Sequence, residues 1–224
     1  MNEAEAQRLR ERVASGEASD DEIDRLAVTL AAGVRSRGPR LVGAREAELA
    51  ELVALVAAHP RPACVEALLS ARLDSQIRAY ERRDGEDAWR QLDHVRAWAI
   101  RAPDSPVVAD RFAAALFNGF RGGVLLGDEA MRLAALAELR THARSPGAAG
   151  LACRVALAEL LADAVAAGWR RDEPRGFAVE RALAELEQLA AAAEVDVVRE
   201  LARAWRELGF GRVRAHDEAL AQRR

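Results

Sequence analysis

Several residue types are missing or rare in this chain of 224 residues. It has no lysine, so all 33 basic residues are arginines, and aromatic residues make up only 4% of the sequence. The two cysteines, Cys64 and Cys153, lie far apart in apolar helical surroundings, which predicts buried free thiols rather than a redox pair. The formal net charge of -3 argues against an overall positive field that would recruit nucleic acid or an anionic membrane.

Targeting signals and membrane spans are lacking as well. The N-terminal segment MNEAEAQRLRERV is charged throughout and has no apolar core like that of a secretory signal. No stretch approaches the run of about 20 apolar residues that crosses a bilayer. We therefore expect a cytoplasmic protein that has no membrane partner.

The sequence is rich in apolar residues, which make up 50% of it and are mostly Ala, Leu and Val. They recur at steps of three and four residues, the period of a helix face, and no segment alternates as a strand would. Clusters of Gly, Pro, Asp and Ser separate the apolar segments and mark turns. The pattern predicts an all-α protein with helices over 3–15, 20–36, 44–58, 63–82, 86–101, 106–121, 127–144, 148–168, 176–192, 195–208 and 213–222.

These helices repeat with a period of 43 to 44 residues. One series of i, i+4 apolar pairs falls on every second helix: Leu30/Val34, Leu73/Ile77, Leu116/Phe120, Leu160/Ala164 and Ala204/Leu208. A second series falls on the intervening helices at steps of 43, 44 and 47 residues: Leu49/Leu52, Leu92/Val95, Leu136/Leu139 and Leu183/Leu186. The two series predict about five antiparallel helix hairpins stacked as a solenoid. The domain would be single, over 1–224, with a capping helix at 1–19 and hairpins at 20–222.

One hairpin carries a more specific signal. In APDSPVVADRFAAALFNGF, a Pro-Asp turn leads into a helix that carries Leu116, Asn118 and Phe120. The next helix, EAMRLAALAELRTHARSPG, ends at another Pro turn. This order resembles tetratricopeptide repeats, whose usual period is 34 residues. The resemblance implies a right-handed superhelix in which the first helix of each hairpin lines a concave groove. It places Asn118 where such repeats hold a peptide backbone or a terminal carboxylate; HEAT-type repeats are the alternative fold.

Arginine dominates the positions that would face this groove. Over five repeats they hold nine arginines and a single acid, Glu159, and the arginine fork suits carboxylates and phosphates. We expect an acidic peptide or protein segment as the partner, bound by Arg72, Ser75, Arg78, Arg111, Asn118, Arg121, Arg203 and Arg206. The same positions on the Leu160 helix are apolar and predict a floor for an anchoring side chain, made of Val155, Ala158, Ala162, Val165 and Ala166. In the competing interpretation, these arginines are ordinary solvated surface residues and Asn118 has a structural role.

Motifs for chemistry are not found. The four histidines (His59, His94, His142 and His216) show neither an HExxH pair nor zinc-ligand spacing, and the Gly pair in FRGGVLLGD predicts a long turn rather than a phosphate loop. We expect a non-enzymatic scaffold for protein interactions that has no cofactor or metal. A homo-oligomer is compatible with this expectation. One alternative is a helical-repeat nucleic-acid binder or base-processing enzyme, disfavoured by the net charge and the few stacking aromatics. Another is a small-ligand sensor with a pocket between helices.

The repeat phase can be tested at Leu116. This residue should pack between adjacent hairpins, so Leu116→Ala should lower the free energy of unfolding by about 2–5 kcal/mol through the cavity that it leaves. Urea or thermal unfolding measures the change. An unchanged transition would place Leu116 on the surface and shift the phase by one or more residues.

Overall fold

The computed structural model describes residues 3–36, 42–170, 177–191, 195–204 and 206, and all regular structure in these ranges is helical. The helices are α1 (Glu3–Ala14), α2 (Asp20–Ser36), α3 (Val42–Ala58), α4 (Pro62–Glu81), α5 (Gly85–Arg101), α6 (Pro106–Leu126), α7 (Glu129–Ala143), α8 (Gly147–Arg170) and α9 (Phe177–Ala190), followed by a helical segment at 195–204. The all-α prediction is confirmed. Within the described ranges, none of the helices combines the length and the apolar character needed to cross a membrane.

Local hydrogen bonds explain where several helices begin and end. Before α2, Ser19 and Glu22 form a reciprocal capping box, in which the Ser19 amide donates to Glu22 Oε2 at 2.9 Å. Ser105 caps α6 ahead of Pro106, and Asp128 Oδ1 accepts from the Met131 amide at 2.9 Å at the start of α7. Apart from α6, the predicted ends of the helices that are described to both termini agree with the structure within about two residues. The helix predicted over 213–222 lies outside the described residues.

The chain divides into two compact units. The first comprises Met1–Ala137 with Gly147–Ala149, and the second comprises Glu138–Pro146 with Gly150–Arg224. In the first unit α2, α4 and α6 pack side by side. Each of them also packs against a helix adjacent in sequence, because α3 contacts both α2 and α4, and α5 contacts both α4 and α6. The single repeat domain predicted over 1–224 stays a prediction.

The two apolar series supply much of the core. The leading residues of the first series are all buried: Leu30, Leu73, Leu116, Leu160 and Ala204. So are the second members of the other series, at no more than 1% exposure: Leu52, Val95, Leu139 and Leu186. The burial predicted for Leu116 is therefore confirmed. The burial of the i+4 residues of the first series is less regular, since Val34 is buried while Ile77 is 43% exposed.

Helix α6 corrects the prediction of a long turn at FRGGVLLGD. The helix continues through Gly122 and Gly123 and ends only at Gly127, which has a left-handed φ of 71°. The glycine pair serves close packing instead. A Cβ at position 122 would lie 2.2 Å from Cε1 of Tyr80, and one at position 123 would lie 2.7 Å from the backbone nitrogen of Arg132. The sequence interpretation failed because a glycine pair is an ordinary turn signal, and the close contacts with Tyr80 and Arg132 are seen only in the folded chain.

This packing predicts opposite effects for two glycine substitutions in helices. Gly122→Ala should destabilise the protein by about 1–3 kcal/mol, because its methyl group overlaps the buried ring of Tyr80. Gly43→Ala is the matched control, since nothing lies within 4 Å of a Cβ there and alanine favours a helix. Urea denaturation of both variants gives the comparison. Equal stability of the two would mean that α4 and α6 do not meet at Gly122.

Candidate functional site

The face predicted to bind a partner lies on α2, α4 and α6. An arginine recurs on it at steps of 43 residues, as Arg35, Arg78 and Arg121. Arg35 and Arg78 occupy the last turns of α2 and α4, where the helix dipole favours a positive charge. We call the outward side of these helices, with Val28, Arg35, Asn118 and Arg121, the first-helix face.

Most predicted arginines of the first unit are held by neighbouring helices. Arg35 Nε donates to Asp74 Oδ2 at 2.9 Å, and Arg111 Nη2 donates to Glu66 Oε1 at 3.1 Å. Arg78 Nη2 donates to the backbone carbonyl of Arg35. The acids lie at positions that were not counted as facing the groove. The excess of arginine expected from the sequence is therefore partly neutralised, and these pairs also join adjacent helices.

Ion pairs between residues about one repeat apart recur along the chain. They join residues 37 to 45 positions apart at distances of 2.6 to 3.1 Å: Arg10–Glu51, Arg61–Asp24, Arg35–Asp74, Arg111–Glu66, Arg140–Glu185 and Arg203–Asp163. Each pair lies within one of the two units. Surface pairs of this kind contribute about 0–1 kcal/mol each, so they add little to the stability that the buried apolar residues provide.

Asn118 and Arg121 differ from these paired residues. Asn118 is half-buried on α6, and its side chain makes no hydrogen bond to any described residue. Arg121 is exposed, lies 5.5 Å above the Phe117 ring and forms no ion pair within the described part of the chain. Residues three apart share a helix face, so an amide and a guanidinium are available together.

An open apolar cavity of about 240 Å³ lies beside this face, between α2 and α4. Its apolar lining includes Val28, Ala31, Ala32, Ala63 and Ala67, and Arg35 and Glu66 add charge to it. Val28 is 59% exposed there. The apolar floor predicted on the Leu160 helix is wrong, because Ala158, Ala162 and Val165 on α8 are at most 1% exposed and belong to the core.

Arg72 and Ser75 lie instead beside a second, polar pocket. It is enclosed by α3, α4 and α5, and we call it the α3–α5 pocket; its lining consists of Arg45, Glu46, Leu49, Ser75, Arg82, Asp87 and Gln91. Arg72 Nη1 donates to Gln91 Oε1 at 2.9 Å, and burial lowers the pKa of Arg72. Ser75 Oγ donates to the Ala71 carbonyl at 2.9 Å. Arg72 therefore faces α5.

Arg45 was missed by the sequence interpretation. It is 7% exposed, and its Nη1 atom has no hydrogen-bond partner among the described residues. Burial lowers the pKa of Arg45, and the positive charges of Arg78 and Arg82 lower it further. A signal was present, because Arg45 precedes Leu49 and Leu52 on the same helical stripe. A charge on an apolar stripe indicates either an error in the helix phase or a buried polar site.

The last two predicted site residues belong to the second unit. Arg203 donates to Asp163 at 3.0 Å and to Glu200 at 2.7 Å, and it also reaches the Glu159 carbonyl. Arg206 is exposed, and its Nε donates to the Ala202 carbonyl at 3.3 Å. Arg203 therefore resembles Arg35 and Arg111 in joining helices.

Comparison with known proteins adds no assignment. The chain matches none of the protein-family models, curated proteins or solved structures with which it was compared. In the described ranges, no three His, Cys, Asp or Glu side chains gather as a metal site. The function must therefore be inferred from the residues themselves.

Both thiols should be unreactive in the folded protein. Burial raises the pKa of Cys64 to about 11, where its Sγ also donates to Asp24 at 3.3 Å, and burial raises the pKa of Cys153 to about 12. At pH 8 the thiolate fraction of Cys64 would be about one in a thousand. A colorimetric disulfide reagent at pH 8 should therefore detect neither thiol until denaturant is added.

Ala54→Cys is the control for this measurement, because residue 54 is exposed on α3 and its thiol should react at once. Rapid reaction of the unaltered native protein would contradict the burial of Cys64 or Cys153.

Proposed function

We propose that this chain is a helical-hairpin repeat protein, similar to tetratricopeptide repeats, and that it binds an acidic segment of another protein on the first-helix face. The observation that carries the proposal is the pair Asn118 and Arg121, whose polar groups are not used by the described residues. Polar groups of this kind are available for a ligand, and an arginine is suited to a carboxylate.

The order of helix contacts supports stacked hairpins. Helix α4 packs against α2 and α6, its equivalents in neighbouring hairpins, and against α3 and α5. The buried leading residues follow the period of 43 to 44 residues, and the ion pairs join residues about one repeat apart. Repeats that contact mainly their nearest neighbours form extended binding surfaces.

The chemistry of the first-helix face supports the choice of partner. The cavity between α2 and α4 has room for an aliphatic side chain, and Arg35 at the cavity has a side chain that is 64% exposed although it pairs with Asp74. An extended segment with an acidic residue near a leucine would satisfy both features. Nucleic acid is less suited, because Asp74 and Glu66 already pair with arginines of this face.

The proposal predicts a loss of peptide binding when the two available groups are removed. Asn118→Ala combined with Arg121→Ala should weaken binding of fluorescein-labelled acidic peptides containing leucine by about tenfold, as expected for the loss of about 1.4 kcal/mol of charge-assisted contact. Fluorescence anisotropy over an array of such peptides measures the affinities, which should also fall with added salt.

Arg101→Ala provides a matched control. Arg101 is likewise an exposed arginine stacked on an aromatic ring, 5.7 Å above Trp98, but it lies on α5. Its replacement should leave the affinities unchanged. Absence of binding by the unaltered protein, or equal binding by the double variant with unchanged helicity, would contradict the proposal.

A further inference from the structure

We propose that the α3–α5 pocket binds a single oxyanion, a carboxylate or phosphate group, through Arg45 and Arg82. The site is separate from the first-helix face, and it does not depend on the function proposed for that face. Its two arginines come from α3 and from the residue that follows α4.

The first argument is the state of Arg45. The residue is 7% exposed, and its buried Nη1 atom has no hydrogen-bond partner in the part of the chain that the structure describes. Arginine remains protonated under ordinary conditions, so the charge cannot be relieved by loss of a proton. A buried charge without a partner is strongly unfavourable, and an anion in the pocket would supply the missing acceptor.

The second argument is that Asp87 and Gln91, which line the pocket beside Arg45, are already engaged in hydrogen bonds. Asp87 Oδ2 accepts from Arg82 at 2.9 Å, and Asp87 Oδ1 accepts from Gln91 at 3.0 Å. Gln91 Oε1 in turn accepts from Arg72 at 2.9 Å. This chain of hydrogen bonds fixes Arg82 and Gln91 at the pocket but provides no acceptor for Arg45 Nη1.

The third argument is the balance of charge. Arg78 and Arg82 both act electrostatically on Arg45, whereas the acids acting on it are Glu46 and Asp87. Glu46 is exposed to water, so its charge is screened, and Asp87 is shared with Arg82. The lining itself holds as many acids as arginines, but Arg78 and Arg82 act on Arg45 more strongly than the two acids, so the field at its side chain is positive.

Size limits the ligand to a small group. The cavity has about 50 Å³, where a water molecule needs about 10–15 Å³ and pockets for drug-sized ligands have about 300 Å³ or more. One carboxylate or phosphate group fits, and a whole nucleotide does not. Arg82 lies where the pocket opens to solvent, because its side chain is 30% exposed. The anion could be free phosphate or the carboxylate of a peptide, and both present the same oxygen acceptors.

The test is thermal unfolding of the full chain at constant ionic strength, in sodium chloride, sodium phosphate or sodium acetate. Binding should raise Tm saturably, by about 3–6 °C at ten times the dissociation constant. A rise in phosphate alone identifies phosphate, a rise in acetate alone identifies a carboxylate, and a rise in both identifies the shared oxyanion chemistry. Equal Tm values in all three salts would overturn the proposal.

Variants separate the site from general salt effects, since phosphate stabilises many proteins by exclusion from their surfaces. Arg45→Met should abolish the saturable rise while leaving the protein as stable in chloride as before, or more so. Arg82→Met is the second variant in case Arg45→Met does not fold. Arg101→Met, at an exposed arginine in the last turn of α5, should keep the full response. An equal response in the unaltered protein and in either pocket variant would overturn the proposal.

Discussion

The contact between α4 and α6 is the constraint that sets how two helices of the first-helix face lie side by side. The Tyr80 ring occupies the space that a side chain at Gly122 would need, and Gln76 Nε2 donates to the Ala115 carbonyl of α6 at 3.0 Å. Both residues are buried, and burial raises the pKa of Tyr80 to about 12, so the phenol stays neutral. A hydrogen bond into a helix backbone fixes the register as well as the distance. The positions of Asn118 on α6 and Ser75 on α4 follow from it.

Arginines have two different roles in this chain, because a guanidinium group either pairs with a carboxylate or stays available for a ligand. Where a carboxylate lies about one repeat away, as for Arg111, the guanidinium joins two helices at the surface and part of its hydrogen-bonding capacity is already used. Where the guanidinium forms no ion pair with a described carboxylate, as for Arg45 and Arg121, the same group stays available. The availability of an arginine is thus decided by its neighbours in space, and the number of arginines on a face says little about binding.

This explains how far the sequence alone could lead. Helices and their buried residues follow from a local period, so Leu116 and most helix ends could be predicted. The ion pairs could not be predicted in this way. The partner of Arg111 is Glu66 on another helix, and the position of Glu66 has no special place in the apolar pattern. Gly122 was misinterpreted for the same reason, since only the position of Tyr80 distinguishes a packing glycine from a turn.

Arg45 is the residue that stability alone explains least. It occupies a place on the stripe of Leu49 and Leu52 where a leucine would complete the buried face of α3. An arginine there gives up that apolar contact and adds a charge whose Nη1 finds no acceptor. Departures from the local pattern of this kind concentrate at functional sites. The adjoining hydrogen bonds from Arg82 through Asp87 to Gln91 satisfy the polar groups of those three residues but not Arg45 Nη1. This is expected of a site in which the missing acceptor is a ligand.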